Sequence, residues 1–339
     1  MKKKIYWGCN PIAKSILMFN GCRSWDEFVG FCCEELPNES PPYIPLATTG
    51  KQTIDNFITM REKVIAESEM SKEERKYSRG CLLCPKYRQQ IWPHYNDQIM
   101  YVNLSQYPSP CQCRCTYCTL RDMGLFEMTP EAEQMTEILL DAIGYALEKN
   151  LIHPKARWQV SCGEITIHPY KNRIYDLIGN AEAYFLTNMF LFDERIANNL
   201  SNNPKSQINF SIDSGTAATW KAVKGISNFD KVKKNLKEYS HAICNGNQIV
   251  LKYIILLNVN TSLADYQGVI DIMKIIKVNT ITISRNSRAV EDDSQDIITQ
   301  TAFFVALLSE AELGFTLDGR FSEEQKSGII ELAKELPKG

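Results

Sequence analysis

The sequence predicts an α/β protein built as an open (β/α)6 barrel, preceded by a small, irregular, cysteine-rich region. From about residue 98 onwards, six apolar runs alternate with helical segments. The runs are apolar throughout, which is typical of parallel strands that are covered on both faces. Polar residues or glycine cluster just after the ends of the runs, where parallel α/β proteins place their chemistry. A doubly wound sheet is the main alternative.

The elements of the barrel follow in order along the chain. Strands are predicted at 99–105, 158–161, 184–188, 208–213, 249–257 and 280–285. The first helix is expected to begin at Thr129-Pro130, a capping hydroxyl followed by proline at the first helical position. Further helices are predicted near 170–180, 192–202, 217–224, 229–240, 262–276 and 295–312. After Ala311, the run GFTLDG and a final helix over 322–335 are expected to close the sheet.

The region before the barrel has too little apolar sequence for a core of its own. It contains a strand-like piece at 15–19, a proline-rich turn, one amphipathic helix and a CLLC pair. The helix directs Ile54, Phe57, Ile58, Val64 and Ile65 toward a partner, and a bound metal would stabilise such a small region. The predicted domains are therefore 1–96 (cysteine-rich), 97–290 (barrel core) and 291–339 (helical extension closing the barrel).

Composition excludes two broad classes of function. The chain has 339 residues, with 38 Lys and Arg against 40 Asp and Glu, and no clustered basic stripe. Nucleic-acid-binding proteins usually carry such a stripe, so no nucleic-acid partner is expected. The longest apolar run, 249–259, is interrupted by Lys252 and falls well short of the ~18 residues that a membrane span requires. No membrane partner is expected either.

The amino terminus imitates a signal peptide, with three lysines before apolar residues. Asn10-Pro11 and Lys14 break the apolar core, and no small-residue cleavage site follows. We therefore expect a cytoplasmic protein. In a reducing compartment, closely spaced cysteines more often hold metal than form disulfides.

Four of the twelve cysteines lie in the stretch CQCRCTYC, just after the first predicted barrel strand. Within it, Cys111, Cys115 and Cys118 form the pattern CxxxCxxC. Three thiolates on one loop can hold three corners of an iron–sulfur cube and leave one iron open for chemistry. A structural zinc site requires four closed ligands, and Cys113 could supply the fourth, so zinc remains the alternative for this stretch.

CxxxCxxC with Tyr117 before the last cysteine is the signature of the radical S-adenosylmethionine (SAM) superfamily. The chain resembles that superfamily over about residues 98–290. SCGEITIHP (161–169) resembles its GGEP segment, although Cys162 replaces the first glycine and Ile165 the proline. LTNM (186–189) looks like the LTNG segment, and FSIDSGTAATWKAVKG (210–225) is similar to an SxDS segment whose helix ends in KG.

The resemblance implies a partial (β/α)6 TIM-like barrel and two cofactors. Cys111, Cys115 and Cys118 would bind a 4Fe–4S cluster, and SAM would chelate its open iron. Reductive cleavage would give methionine and a 5′-deoxyadenosyl radical that abstracts a hydrogen atom from a substrate C–H bond. An external donor such as flavodoxin or ferredoxin would supply the electron. The residues implied in binding SAM are Tyr117, Gly163, Glu164, Thr187, Asn188, Ser211, Asp213, Asn258 and Arg285.

The amino-terminal cysteines are similar in kind to those of SPASM and twitch domains, which hold auxiliary 4Fe–4S clusters. Here they precede the barrel, whereas most SPASM domains follow it. The expected ligands are Cys9, Cys32, Cys81 and Cys84, with Cys33 as the alternative to Cys32. A zinc site would suit these spacings equally well.

The resemblance favours an oxidoreductase that acts on a peptide or protein residue, by modification, oxidation or epimerisation. A sugar or aminocyclitol dehydrogenase or epimerase is the alternative within the superfamily. Cys162 could donate a hydrogen atom in an epimerisation, or could simply replace a glycine in a turn. Two readings of other classes stay open at this point: an electron-transfer protein with two clusters, and a zinc-stapled binding module.

Overall fold

The computed structural model describes residues 5–8, 16–20, 28–30, 44–78, 88–91, 98–105, 109–118, 124–161, 163–286 and 295–336. Its strands are β1 Ile5–Gly8, β2 Ile16–Asn20, β3 Phe28–Gly30, β4 Ile44–Pro45, β5 Arg88–Ile91, β6 Ile99–Ser105, β7 Ile152–Val160, β8 Ala183–Leu186, β9 Gln207–Ser211, β10 Ile249–Ile255, β11 Thr280–Arg285 and β12 Gly314–Leu317. Its helices are α1 Gly50–Ala66, α2 Pro130–Glu148, α3 Lys171–Ile178, α4 Glu194–Asn202, α5 Ala217–Lys224, α6 Phe229–Ala242, α7 Leu263–Ile276, α8 Gln295–Glu310 and α9 Glu323–Glu335.

The chain divides into two compact units, and β8 contains one boundary between them. The first unit comprises residues 1–110 and 127–184, and the second comprises 111–126 and 185–339. In the first unit the strand order is β4-β3-β2-β6-β7-β8, with β2, β6 and β7 parallel and β3 and β4 antiparallel. A separate antiparallel pair joins β1 to β5.

Two helices of the first unit pack closely on each other. In α1, Ile54, Phe57 and Val64 are buried, as their helical spacing predicts. A Cβ atom at Gly50 would lie 2.3 Å from the backbone nitrogen of Ala142 in α2, so only glycine fits this crossing. The predicted start of α2 is also observed, because the Thr129 hydroxyl accepts a hydrogen bond from the Ala132 N–H at 3.2 Å.

In the second unit the strand order follows the chain, β8-β9-β10-β11-β12. Strands β9 to β12 pair in parallel, and β12 is an edge with β11 as its neighbour. The prediction of an α/β protein with an open parallel sheet is therefore confirmed. The carboxy-terminal segment, predicted as a helical extension, contributes β12 as well as helices.

One expectation about the strands is wrong, because they are not buried on both faces. Along β9, β10 and β11 the burial of side chains largely alternates. One face carries Tyr253, which packs on Tyr266 of α7 and Phe304 of α8 with ring centres 5.9 and 5.0 Å apart. The other face carries half-buried polar side chains such as Ser211 and Lys252. The apolar runs were long enough to hide this alternation.

The strand β7 begins six residues earlier than predicted. Pro154 and Lys155 interrupt its apolar pattern, and both lie in its first half, where the side chains from His153 to Lys155 are not buried. Proline is tolerated where a strand is irregular, and the pairing of β6 with β7 is itself irregular between Ile99 and Tyr101. Within the described residues, no helix is both long enough and apolar enough to cross a membrane.

Candidate cofactor site

The cysteine loop, defined here as residues 111–118, belongs to the second unit. Cys113 is buried, at 1% exposure, whereas Cys111, Cys115 and Cys118 are each half-buried. The loop turns at its end, where the Cys118 N–H donates to the Cys115 carbonyl at 3.0 Å. None of the described cysteines forms a disulfide. Burial thus separates Cys113 from the three cysteines of the CxxxCxxC pattern.

The thiols of the loop have unequal proton affinities. Hydrogen bonds to Cys111 and Cys115, together with burial, strongly raise the pKa of the Cys113 thiol. The pKa of Cys115 is lowered, chiefly by the hydrogen bond from Cys113 and further by the charge of Lys224. The pKa values of these two thiols therefore shift in opposite directions, that of Cys113 toward the protonated form and that of Cys115 toward the thiolate.

Asn188 follows β8 and contacts the first cysteine of the loop. Its Nδ2 lies 3.7 Å from Cys111 Sγ, and its Oδ1 accepts from Gln112 Nε2 at 3.2 Å. The same oxygen accepts from the Phe190 N–H at 3.0 Å, which fixes the side chain on its own turn. Next to it, Met189 adopts a left-handed φ of +59°, where the superfamily segment has glycine.

Tyr117 ends in a buried cluster with Asp213 and Lys224. The Tyr117 hydroxyl donates to Asp213 Oδ2 in a short hydrogen bond, and Lys224 Nζ donates to both of these oxygens at 2.6 Å. The Tyr117 ring packs on Val223 and Ile254. Burial, then the Asp213 charge, raises the pKa of Tyr117 well above its usual value. Burial lowers the pKa of Lys224, but the charges of Asp213 and Cys115 raise it by more than burial lowers it. The net shift of the Lys224 pKa is therefore upward.

Both oxygens of the Asp213 carboxylate accept hydrogen bonds from residues of the second unit. Its Oδ1 accepts from the Ile254 N–H at 2.7 Å, and its φ of +47° places it in the left-handed region. Its carbonyl accepts from Asn260 Nδ2 at 2.9 Å, and Asn260 is itself fully buried. In this arrangement Asp213 organises the loop and the strand ends, and its implied contact with SAM stays a prediction.

The Gly163-Glu164 pair lies in the first unit, beside the residues that lead into the cysteine loop. Gly163 has φ +46°, and a Cβ atom there would lie 2.7 Å from the Pro110 carbonyl oxygen. The Glu164 N–H donates to that same oxygen at 2.9 Å. The Glu164 side chain is buried and accepts from the Thr166 N–H and hydroxyl at 3.1 and 2.6 Å.

The remaining predicted SAM contacts belong to the ends of strands in the second unit. Thr187 is buried and accepts from the Met189 N–H at 3.1 Å. Ser211 ends β9 and is half-buried, while Asn258 is exposed after β10 with φ +61°. Arg285 ends β11, and its Nε donates to the Arg320 carbonyl at 2.7 Å. The residues Cys9, Cys32, Cys33, Cys81, Cys84 and Cys162 lie outside the described residues.

Lys224 and Gln112 are site residues that the sequence analysis did not choose. The KG ending of the segment 210–225 was the available signal for Lys224, but its contact with Tyr117 depends on the fold. Among the described residues, no three His, Cys, Asp or Glu side chains are close enough to hold a single metal ion. The three half-buried sulfurs of one loop suit a 4Fe–4S cube, which spreads its ligands more widely than a single ion does.

The family model of the Radical SAM superfamily matches residues 109–284, a little more than half of the chain. It covers the cysteine loop and strands β7 to β10, and ends within β11. The comparison with curated proteins found no match to this sequence.

Solved structures that resemble the chain are distant in sequence. SuiB from Streptococcus suis, bound to the precursor peptide SuiA, is 13% identical with a TM-score of 0.49, over 94% of this chain and 72% of that one. Another structure of SuiB from Streptococcus suis is 13% identical with a TM-score of 0.45, over 71% of this chain and 52% of that one. The chain therefore spans about half the length of that SuiB. A radical SAM methyltransferase from Sphaerobacter thermophilus is 13% identical with a TM-score of 0.40, over 62% of this chain and 63% of that one.

The family match, which includes the cysteine loop and the strand ends around it, identifies the chain. The protein belongs to the Radical SAM superfamily, whose members are enzymes that use a 4Fe–4S cluster and SAM.

Proposed function

We propose that the chain binds a 4Fe–4S cluster through Cys111, Cys115 and Cys118 and cleaves SAM reductively. The observation that supports this most is the position of the cysteine loop in the second unit. Asn188, after β8, contacts Cys111 Sγ, and Asp213, after β9, accepts from Tyr117. The loop therefore lies at the carboxyl ends of parallel strands, the edge at which such folds hold reactive groups.

When bound, the cluster and SAM supply a 5′-deoxyadenosyl radical that removes a hydrogen atom from a substrate C–H bond. The protein supplies orientation and charge. Asn188 holds the first cysteine of the loop in place, and Tyr117 holds the segment between the second and third. Cys113 is a buried thiol beside the proposed ligands and is not one of them. The proposed SAM-binding residues stay those that the resemblance implies: Tyr117, Gly163, Glu164, Thr187, Asn188, Ser211, Asp213, Asn258 and Arg285.

We further propose an auxiliary 4Fe–4S cluster on Cys9, Cys32, Cys81 and Cys84, with Cys33 as the alternative to Cys32. Its support is the sequence pattern, since a CxxC with dispersed cysteines is typical of SPASM and twitch regions. An auxiliary cluster could take an electron from a substrate radical, which suits an oxidation. Zinc at these cysteines would leave only a structural role.

The proposed substrate is a residue of a peptide or protein, and the electron donor a flavodoxin or ferredoxin. Both rest on the resemblance to SPASM-bearing enzymes, some of which instead act on sugars or aminocyclitols. Cys162 is the candidate hydrogen donor if the reaction is an epimerisation. Deuterated peptides and deuterated aminocyclitols distinguish the two substrate classes, because the true substrate transfers deuterium to 5′-deoxyadenosine.

The test of the core proposal is SAM cleavage by anaerobically purified protein under dithionite. We expect methionine and 5′-deoxyadenosine from the wild type. Cys115→Ala should reduce the rate by more than about 100-fold, because the cube loses a ligand. Cys113→Ala is the matched control and should retain cleavage. Equal loss in both variants, or no product from protein that carries iron and sulfide, would overturn the proposal.

A further inference from the structure

The carboxyl end of α5 lies directly under the cysteine loop. The Arg114 N–H donates to the Lys224 carbonyl at 2.8 Å, and the Thr116 N–H donates to the Val223 carbonyl at 2.9 Å. The last carbonyls of a helix have no partner within the helix and need donors from elsewhere. Here two residues of the cysteine loop supply these donors, and each is adjacent to Cys115.

Gly225 ends the helix in a left-handed conformation, with φ +68° and ψ +12°. A Cβ atom at this position would lie 2.9 Å from the Arg114 Cβ and 3.3 Å from the Arg114 carbonyl oxygen. Any other residue would therefore push against the backbone of the cysteine loop, in addition to the strain of a positive φ.

The charges of this contact need compensation. A helix carboxyl end carries partial negative charge, and so does a loop that holds a cluster through thiolates. Lys224 supplies the positive charge at this point, with only 3% of its side chain exposed. Its ammonium donates to Asp213 Oδ2 and to the Tyr117 hydroxyl, both at 2.6 Å, and lies 5.0 Å from the centre of the Tyr117 ring.

We propose that Val223–Gly225 is a positioning platform for the cysteine loop, and that the Lys224 charge makes the cluster on that loop easier to reduce. The platform holds Cys115 through the backbone of its two neighbours. Lys224 neutralises the Asp213 carboxylate beside the loop, so the reduced, more negative cluster does not face an unpaired negative charge there, and nearby charge and hydrogen bonds tune iron–sulfur potentials. This inference rests on the proposed cluster, and Val223, Lys224 and Gly225 are positioning residues that act through the loop.

The platform is tested by Gly225→Ala with Gly124→Ala as its matched control. Both glycines have φ +68°, but a Cβ atom at Gly124 would meet no described residue within 4 Å. Both variants thus carry the backbone strain, and only Gly225→Ala displaces the loop. We expect Gly225→Ala to lose most of the iron of the cluster on the cysteine loop after anaerobic reconstitution, which is up to about half of the iron of the chain, and to change the electron paramagnetic resonance (EPR) spectrum of the reduced cluster. Equal iron and identical spectra in the two variants would overturn the platform.

The charge is tested by the midpoint potential of the cluster on the cysteine loop, measured without SAM in the double variant Cys81→Ala with Cys84→Ala, so that the auxiliary cluster does not contribute. We expect Lys224→Met to shift it to a more negative value and Lys224→Arg to restore it toward the wild type. An unshifted potential in Lys224→Met with a full cluster would overturn the role of the charge. If Lys224→Met does not fold, Lys224→Gln tests the same point. A wild type that binds no cluster would instead refute the proposed function.

Discussion

His168 is a buried histidine whose environment keeps it neutral. Its side chain is 2% exposed, its Nδ1 accepts from the Tyr170 N–H at 3.2 Å, and its Nε2 has no hydrogen-bond partner among the described residues. Burial lowers its pKa to about 4. In the unfolded chain the pKa is about 6.5. The unfolded state therefore binds a proton that the native state refuses, and the free energy of unfolding decreases as the pH falls through this window.

We predict that the free energy of unfolding decreases by about 2 kcal/mol because of this histidine when the pH is lowered from 7 to 5. His168→Asn keeps a hydrogen-bond acceptor near the position of Nδ1 but cannot take up a proton in this range. Melting temperatures measured at pH 7 and pH 5 should therefore fall less in His168→Asn than in the wild type. An equal fall in both proteins would show that His168 is not the group responsible.

Asp213 illustrates what could and could not be predicted for single residues. The segment 210–225 marked it as a functional position, and it does lie at a strand end beside the cysteine loop. The hydrogen bonds of its carboxylate were not predictable, because the three partners Tyr117, Lys224 and Ile254 lie in different segments of the chain and meet only in the folded protein. For Cys113, the spacing of the other three cysteines predicted that it stands apart, and it is the buried cysteine of the loop; its exclusion as a cluster ligand stays a prediction.

At the scale of elements, the crossing of α1 and α2 depends on Gly50. We predict that Gly50→Ala destabilises the protein by about 1–3 kcal/mol, because the added Cβ atom would meet the α2 backbone. Gly144→Ala is the control, since this glycine lies within α2 and a Cβ atom there meets nothing within 4 Å in the part of the chain that the structure describes. It should instead stabilise the helix by about 0.5–1 kcal/mol.

Denaturant unfolding of the two variants measures both effects on the same protein. Opposite changes in the midpoint are expected, with Gly50→Ala lower and Gly144→Ala higher than the wild type. A Gly50→Ala protein as stable as the wild type would mean that α1 can move away from α2 at little cost.

The elements themselves were predictable where periodicity was strong and less so where polar residues interrupt a strand. The helices α2 and α7 are capped by Thr129 and Ser262, whose hydroxyls accept hydrogen bonds from N–H groups of the first turn. The early start of β7 was hidden by Pro154 and Lys155. The half-exposed face of β9 to β11 was not predicted because apolar residues dominate those runs. Ser211 and Lys252 were therefore not recognised as part of a polar face.

At the scale of the whole molecule, the metal content decides between the readings of the amino-terminal cysteines. We predict about eight iron and eight sulfide per chain after anaerobic reconstitution, four for each cluster. A double variant, Cys81→Ala with Cys84→Ala, should fall to about four iron and should retain the signal of the SAM cluster. About four iron with one zinc in the wild type would assign the amino-terminal cysteines to a structural zinc site.

The central claim is that Cys111, Cys115 and Cys118 hold a cluster whose fourth iron is open to SAM. The most direct measurement is the EPR spectrum of the dithionite-reduced double variant Cys81→Ala with Cys84→Ala, which lacks the auxiliary cluster, before and after SAM is added. We predict a signal that is lost when Cys115→Ala is added to this variant, kept when Cys113→Ala is added, and changed in shape by SAM. A signal that SAM leaves unchanged in fully reconstituted protein would contradict it, because a closed cluster has no site for SAM.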